Sequence, residues 1–129
     1  MINPHYKHSE LTGKIIGCAM HVHRILGSGF QEVIYQRALA IEMAENGIHF
    51  EREKEISVYY KGLHVGSRRA DFIVENLISV ELKALTITEQ VHISQAKGYL
   101  KAYNVETGLL INFGTPSLEF KRLFNDKYK

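Results

Sequence analysis

Apolar residues recur at helical spacing in two early segments of the chain and at alternating or continuous spacing in four later ones. From residue 9 to residue 26, Leu11, Ile15, Ala19, Val22 and Leu26 follow at steps of three and four. That spacing predicts an amphipathic helix with Ser9 as its N-cap and Gly27 as its stop. Ser28 followed three residues later by Gln31 is a capping-box pattern, and Gly47 is a second stop, so a second helix is expected over about residues 29–46. Its inner stripe would be Ile34, Ala38, Ile41 and Ala44 or Glu45, with Glu32 and Tyr35 sharing a neighbouring face. Apart from Ser57, residues 56–60 are β-branched or aromatic, Lys61-Gly62 reads as a tight turn, and residues 63–74 continue in extended character, which predicts a hairpin. Residues 78–83 read as another short strand. Thr86 to Glu89 forms a further capping box, opening a helix to about Tyr103, and residues 108–113 make a buried strand. The expected order is α-α-β-β-β-α-β, a mixed sheet flanked by helices in an α/β sandwich. The stretch Phe120-Lys121-Arg122-Leu123-Phe124 alternates basic and apolar residues and reads as a terminal strand or a docking tail.

No repeat or long linker divides the 129 residues, so one domain over 1–129 is expected. A lone cysteine, Cys18, excludes a disulfide scaffold and a cysteine-based zinc fold. No stretch approaches the roughly 18 apolar residues of a membrane span, and Met1-Ile2-Asn3-Pro4-His5 has no signal-peptide layout, so a cytoplasmic setting is expected without membrane contact. Sixteen basic residues against fourteen acidic ones give a net charge of +2, too small to identify a nucleic-acid binder by charge alone. Distribution must decide that.

The most informative stretch runs from Arg69 to Lys83. Taking Ala70, Phe72 and Val74 as one apolar face and Ile78, Val80 and Leu82 as its match, Val74 should face Ile78, Phe72 should face Val80, and Ala70 should face Leu82. This register sets Asp71 opposite Glu81 on the other face, where two carboxylates repel each other. Lys83, on the same face as Glu81, would offset the repulsion, and a divalent cation would do more; oxygen-only ligands point to Mg²⁺ or Mn²⁺. Glu-Leu-Lys on a strand also reads as alternating surface charge. On the predicted third helix, His92, Gln95 and Tyr99 lie along one face and can approach the strand carboxylates. His21 and His23 point to different sides of their helix and read as surface residues. Gly27-Ser28-Gly29 has no phosphate-loop lysine and reads as an interhelical turn.

Asp71, nine residues, Glu81, one residue, Lys83 resembles the pattern of the PD-(D/E)XK nuclease superfamily, with Ala70 in place of the usual proline. Gly29-Phe30-Gln31-Glu32-Val33-Ile34-Tyr35 reads G-x-x-E-x-x-Y. Together with Tyr60-Lys61-Gly62, Arg69-Ala70-Asp71-Phe72, His92 with Gln95, Tyr99-Leu100 and the Gly108 to Phe113 strand, it resembles the GxxExxY family over about residues 8–124. The resemblance implies a restriction-endonuclease-like sandwich. It also implies Asp71 and Glu81 as metal ligands, Lys83 as the catalytic lysine, and Glu32 as an acidic residue meeting the metal directly or through water. Gln95 and Tyr99 are similar to the Q-x-x-x-Y element of the RecB-like branch, suited to orienting the lysine or the substrate phosphate.

The expected activity is metal-dependent hydrolysis of DNA phosphodiesters, with DNA favoured over RNA and a homo-oligomer or partner protein helping to grip substrate. Arg68, Arg69, Lys83, Lys97, Lys101, Lys121 and Arg122 are the basic residues available to a phosphate backbone. The rival expectation is a non-catalytic nucleic-acid- or protein-binding module that keeps the nuclease fold. Hydrolysis of another phosphate ester would use the same chemistry.

Overall fold

A computed structural model describes residues 8–129; Met1 to His5, read above for a signal layout, lie outside the described residues. The elements are α1 (Ser9–Leu26), α2 (Glu32–Glu45), β1 (Phe50–Tyr60), β2 (Leu63–Val74), β3 (Ile78–Lys83), α3 (Gln90–Tyr103), β4 (Thr107–Asn112) and β5 (Glu119–Phe124). The five strands lie side by side in chain order, antiparallel throughout except for the parallel β3–β4 pair that α3 connects. The tail that read as a strand or a docking segment is a strand, one more than the expected order contained: β5 pairs with the whole of β4, from Thr107↔Phe124 to Asn112↔Glu119.

Alternation divides the central strands between two layers. Val80, Leu82, Leu109 and Ile111 pack with α1 and α2 residues such as Ile15, Ala19, Leu39 and Met43. Leu110 packs instead with Ala96 and Leu100 of α3. Strand β4 is buried along its whole length, which accounts for the apolar run Leu109-Leu110-Ile111 at its centre, with Thr107 and Asn112 as buried polar ends. No helix among the described residues is long and apolar enough to cross a membrane.

Three local expectations need correction. Ser9 lies inside α1 and is buried, and His8, with φ 60°, precedes the helix. Helix α2 starts three residues after its expected start, with Gln31 as the cap in place of Ser28, and its inner face holds Tyr35, Gln36, Leu39 and Met43. Ile34 and Ile41, expected inside, are 37% and 60% exposed. The aromatic ring decides the rotation. Tyr35 is fully buried and stacks on Phe113, with ring centroids 4.6 Å apart, contributing more apolar burial than Ile34 offers. Its hydroxyl donates to Gly27 O at 2.6 Å and accepts from the Phe30 N–H at 3.2 Å.

Tyr35 thereby ties down the loop in which Gly27 and Gly29 adopt φ of 68° and 111°, and this loop delivers Glu32 as the first residue of α2. Tyr35→Phe keeps the stack and deletes both hydrogen bonds. It should cost about 1–2 kcal/mol, read as a fall of several degrees in the thermal midpoint; an unchanged midpoint would show that the loop holds itself.

The third correction concerns β2. Lys61 and Gly62, with φ of 51° and 78°, form the expected tight turn, but β1 begins at Phe50, six residues before the expected strand. Phe72 and Val74 face α1 and α2, whereas Ala70 joins Ile56 and Ile73 beneath Tyr99, Ala102 and Tyr103 of α3. Ala70 and Phe72 therefore do not share a face. The interruption falls between the pairs Arg52↔Phe72 and Lys54↔Ala70, where Glu53 of β1 takes a left-handed φ of 54° and the strand side chains exchange sides. Asp71 occupies this point in β2.

Candidate active site

Strands β2 and β3 pair at Phe72↔Val80, Ile73↔Ser79 and Val74↔Ile78, as the register predicts, and the ladder ends there. The expected Ala70↔Leu82 pair does not form, because the strands part at Asp71 and two carboxylates fill the fork. Asp71 Oδ2 accepts the Leu82 N–H at 2.8 Å, and Glu81 Oε1 accepts the Asp71 N–H at 3.2 Å. Each acid thus satisfies a backbone donor that the missing rungs would have served. Asp71 Oδ1 accepts from Gln36 Nε2 at 2.8 Å.

Gln36 was not among the residues expected at the site. The available signal was its place four residues after Glu32, as a polar residue on the face of α2 that also carries Tyr35, Leu39 and Met43. A glutamine buried to 6% exposure needs a partner, and Asp71 is that partner.

Glu81 is 7% exposed, and its carboxyl is pushed up from 4.5 to about 8. Loss of water is the largest cause and the Asp71 charge the next, while the Asp71 N–H and the Lys83 ammonium pull the other way without prevailing. Glu32 is exposed as a residue, but desolvation of its carboxyl also raises its pKa; Lys83 lowers it and Asp71 raises it further. These mutual influences place Glu32, Asp71, Glu81 and Lys83 in one electrostatic neighbourhood.

Lys83 is half-buried at the end of β3, across from Asn112 of β4, and makes no hydrogen bond or ion pair to another described side chain. The loop after it is held by Asn112, itself 1% exposed. Asn112 Oδ1 accepts from the Leu85 and Gly114 N–H groups, and its Nδ2 donates to Leu85 O and Thr88 Oγ1. Gly114 lies so close to Leu85 that a Cβ there would sit 2.4 Å from its backbone nitrogen and oxygen, so only glycine fits.

The α3 candidates lie further from this chemistry. His92 Nδ1 accepts the Glu89 N–H at 2.9 Å, a cap at the start of the helix, which begins at Gln90 instead of following the Thr86 to Glu89 pattern. Gln95 is exposed, and Tyr99 supports the Arg68 guanidinium 4.7 Å from its ring centroid. Neither hydrogen-bonds to Asp71, Glu81 or Lys83 among the described residues. The fork therefore gathers Asp71, Glu81, Lys83 and Glu32, adds Gln36, and leaves Gln95 and Tyr99 outside its hydrogen-bond network.

No three His, Cys, Asp or Glu side chains converge as a ready metal cage among the described residues. The donor set still suits a hard divalent cation: two carboxylates meet in one fork, the Glu81 side 7% exposed, and only oxygen donors are offered there. Asp71 and Glu81 would hold the ion, leaving coordination positions to water and substrate oxygens.

Among solved structures, SSO0001 superposes with a TM-score of 0.58 and 24% identity over 72% of this chain. The chain spans 50% of the length of that protein, so it corresponds to half of it. An alkaline exonuclease from Laribacter hongkongensis, LHK-Exo, superposes with a TM-score of 0.53 and 12% identity, covering 92% of this chain and 71% of that one. These likenesses support the fold as restriction-endonuclease-like. No curated protein gives a significant sequence match. The sequence model of the PD-(D/E)XK nuclease superfamily matches residues 9–123, a span that includes Asp71, Glu81 and Lys83 in the spacing described above. The chain belongs to the PD-(D/E)XK nuclease superfamily.

Proposed function

We propose that this chain is a nuclease that uses Mg²⁺ or Mn²⁺ to hydrolyse phosphodiester bonds in DNA, and that it is a GxxExxY-type member of its superfamily. The observation that carries the reading is the β2–β3 fork, where Asp71 and Glu81 share one backbone hydrogen-bond network and Lys83 follows two residues later. When bound there, a divalent cation supplies Lewis-acid polarisation of the phosphate and makes a nearby water more acidic. The remaining roles belong to the chain itself. Gln36 orients the Asp71 carboxylate through Oδ1. Lys83 positions the attacking water and stabilises the negative charge that grows on the phosphate oxygens as the bond to the leaving oxygen breaks. Glu32, at the start of α2, would meet the ion directly or through water. Gln95 and Tyr99 act from α3 on the substrate phosphate, with the Arg68 guanidinium stacked on Tyr99.

The test is cleavage of labelled linear duplex, single-stranded and closed-circular DNA with Mg²⁺ or Mn²⁺, beside Glu81→Gln. Metal-dependent cleavage that disappears in Glu81→Gln is expected, and the substrates cut report whether an end is needed. Absence of cleavage on every substrate would overturn the catalytic reading in favour of a binding module.

A further inference from the structure

Beyond the Ile56↔Arg68 pair the β1–β2 hairpin leaves the body of the protein. β3 pairs with β2 only from Phe72 to Val74, so the outer ribbon has no partner strand on either edge. Its base rests on α3, where Ile56 and Ala70 meet Tyr99, Ala102 and Tyr103. Past that support none of residues 57–69 is buried. The eight steps from Asp71 to Leu63 extend ~26 Å at the usual rise of a strand.

The composition of this free end is one-sided. Residues 56–69 contain Lys61, Arg68, Arg69 and His64 but no Asp or Glu. Tyr59 and Tyr60 are each 63% exposed, Leu63 is 71% and Val65 is 61% exposed. Lys61 Nζ lies 5.5 Å from the Tyr60 ring centroid, and the Tyr59 ring meets His64 edge-on at 5.7 Å. At the base, Arg69 reaches Glu55 at 4.0 Å, an exposed and therefore weak pair. Exposed rings interleaved with cations are the two elements that hold single-stranded nucleic acid: rings stack on base faces, and cations follow the phosphates.

We propose that this hairpin is a binding arm for a single-stranded segment of the nucleic-acid substrate. The inference rests on the nuclease reading and extends it from the scissile phosphate to the flanking strand. Tyr59 and Tyr60 stack on unpaired bases, while Lys61, Arg68 and Arg69 lead the backbone toward Asp71. Charge separates this from pairing between two copies: facing arms would oppose cations with cations and offer no carboxylate from residues 56–69. Exposed base faces separate it from intact duplex, in which the faces are already stacked.

The experiment measures fluorescence anisotropy of a labelled 20-nucleotide single strand and its duplex in EDTA, with wild type, the double variant Tyr59→Ser/Tyr60→Ser, and Lys61→Glu. Sedimentation is measured in parallel, with hydrolysis of bis(p-nitrophenyl) phosphate as a readout of the fork alone. The double variant should lose about tenfold or more in single-strand affinity, since each stacked base contributes about 1–3 kcal/mol. Lys61→Glu should bind more weakly with a shallower salt dependence, and hydrolysis of the small ester should be unchanged in both. Unchanged affinity, tighter duplex than single-strand binding, or loss of self-association without loss of DNA affinity would each overturn the arm. If the wild type cleaves neither DNA nor the ester while the variants still lose affinity, the arm stands and the nuclease reading falls.

Discussion

Lys83→Ala is expected to lower the cleavage rate by about 10²- to 10³-fold, the usual cost of removing one group aimed at developing transition-state charge. Stabilisation by Mn²⁺ or Mg²⁺ should survive, because the two carboxylates are untouched. The paired readout separates catalysis from folding: the side chain is half-buried and makes no hydrogen bond to another described residue, so little packing is lost. Its backbone carbonyl, which accepts the Phe113 N–H at 2.8 Å, remains in place. Lys83→Met, which keeps the aliphatic stem, should be equally inactive. Cleavage near the wild-type rate in either variant would remove Lys83 from the chemistry, and loss of metal stabilisation in both would make it part of the ion site instead.

The second large effect is a pH dependence of stability that Glu81 imposes on the metal-free protein. Its carboxyl stands at about 8 in the folded chain against an ordinary 4.5, so the folded state holds a proton that the unfolded state has released. The stabilisation from that proton is full below about pH 4.5 and is lost as pH rises through about 8. At ~1.4 kcal/mol for each unit of pKa, the loss across this window is on the order of 4 kcal/mol. The thermal midpoint should therefore fall between pH 5 and pH 8 in EDTA, and Glu81→Gln should flatten that fall and be the more stable protein at pH 8. Millimolar Mn²⁺ should raise the wild-type midpoint more at pH 8 than at pH 5, where the ion competes with the proton. Coincident wild-type and Glu81→Gln profiles would overturn the account.

The layout of the sheet around the carboxylates was readable because alternation is strict on either side of the β2–β3 turn. Val74↔Ile78 and Phe72↔Val80 follow directly from it. The same alternation misled at Ala70. Nothing in the β2 sequence signals that its partner strand carries a left-handed residue at Glu53, and a single such residue exchanges the faces beyond it. The acids accordingly meet in a fork, through backbone donors, instead of as a cross-strand pair. On α2 the periodicity of Ile34 and Ile41 competed with that of Tyr35, Leu39 and Met43, and the two stripes differ little by count. The Phe113 ring, 78 residues after Tyr35, settles which one turns inward, and no local pattern carries that information. Gln36 was lost with the same rotation. Glycine punctuation proved more dependable than serine: Gly27, Gly47 and Gly62 each take a positive φ where an element ends or turns, whereas the N-cap positions belong to His8 and Gln31 instead of Ser9 and Ser28.

The fork joins segments with different separations along the chain. Asp71 and Glu81 are ten residues apart in a hairpin, so closing a short loop suffices to bring them together, whereas Gln36 reaches Asp71 from 35 residues upstream. A partial opening that releases α2 while the sheet persists would leave the acid pair assembled but strip Asp71 of its amide partner. The orientation of the Asp71 carboxylate thus depends on an element that the hairpin does not need for its own pairing.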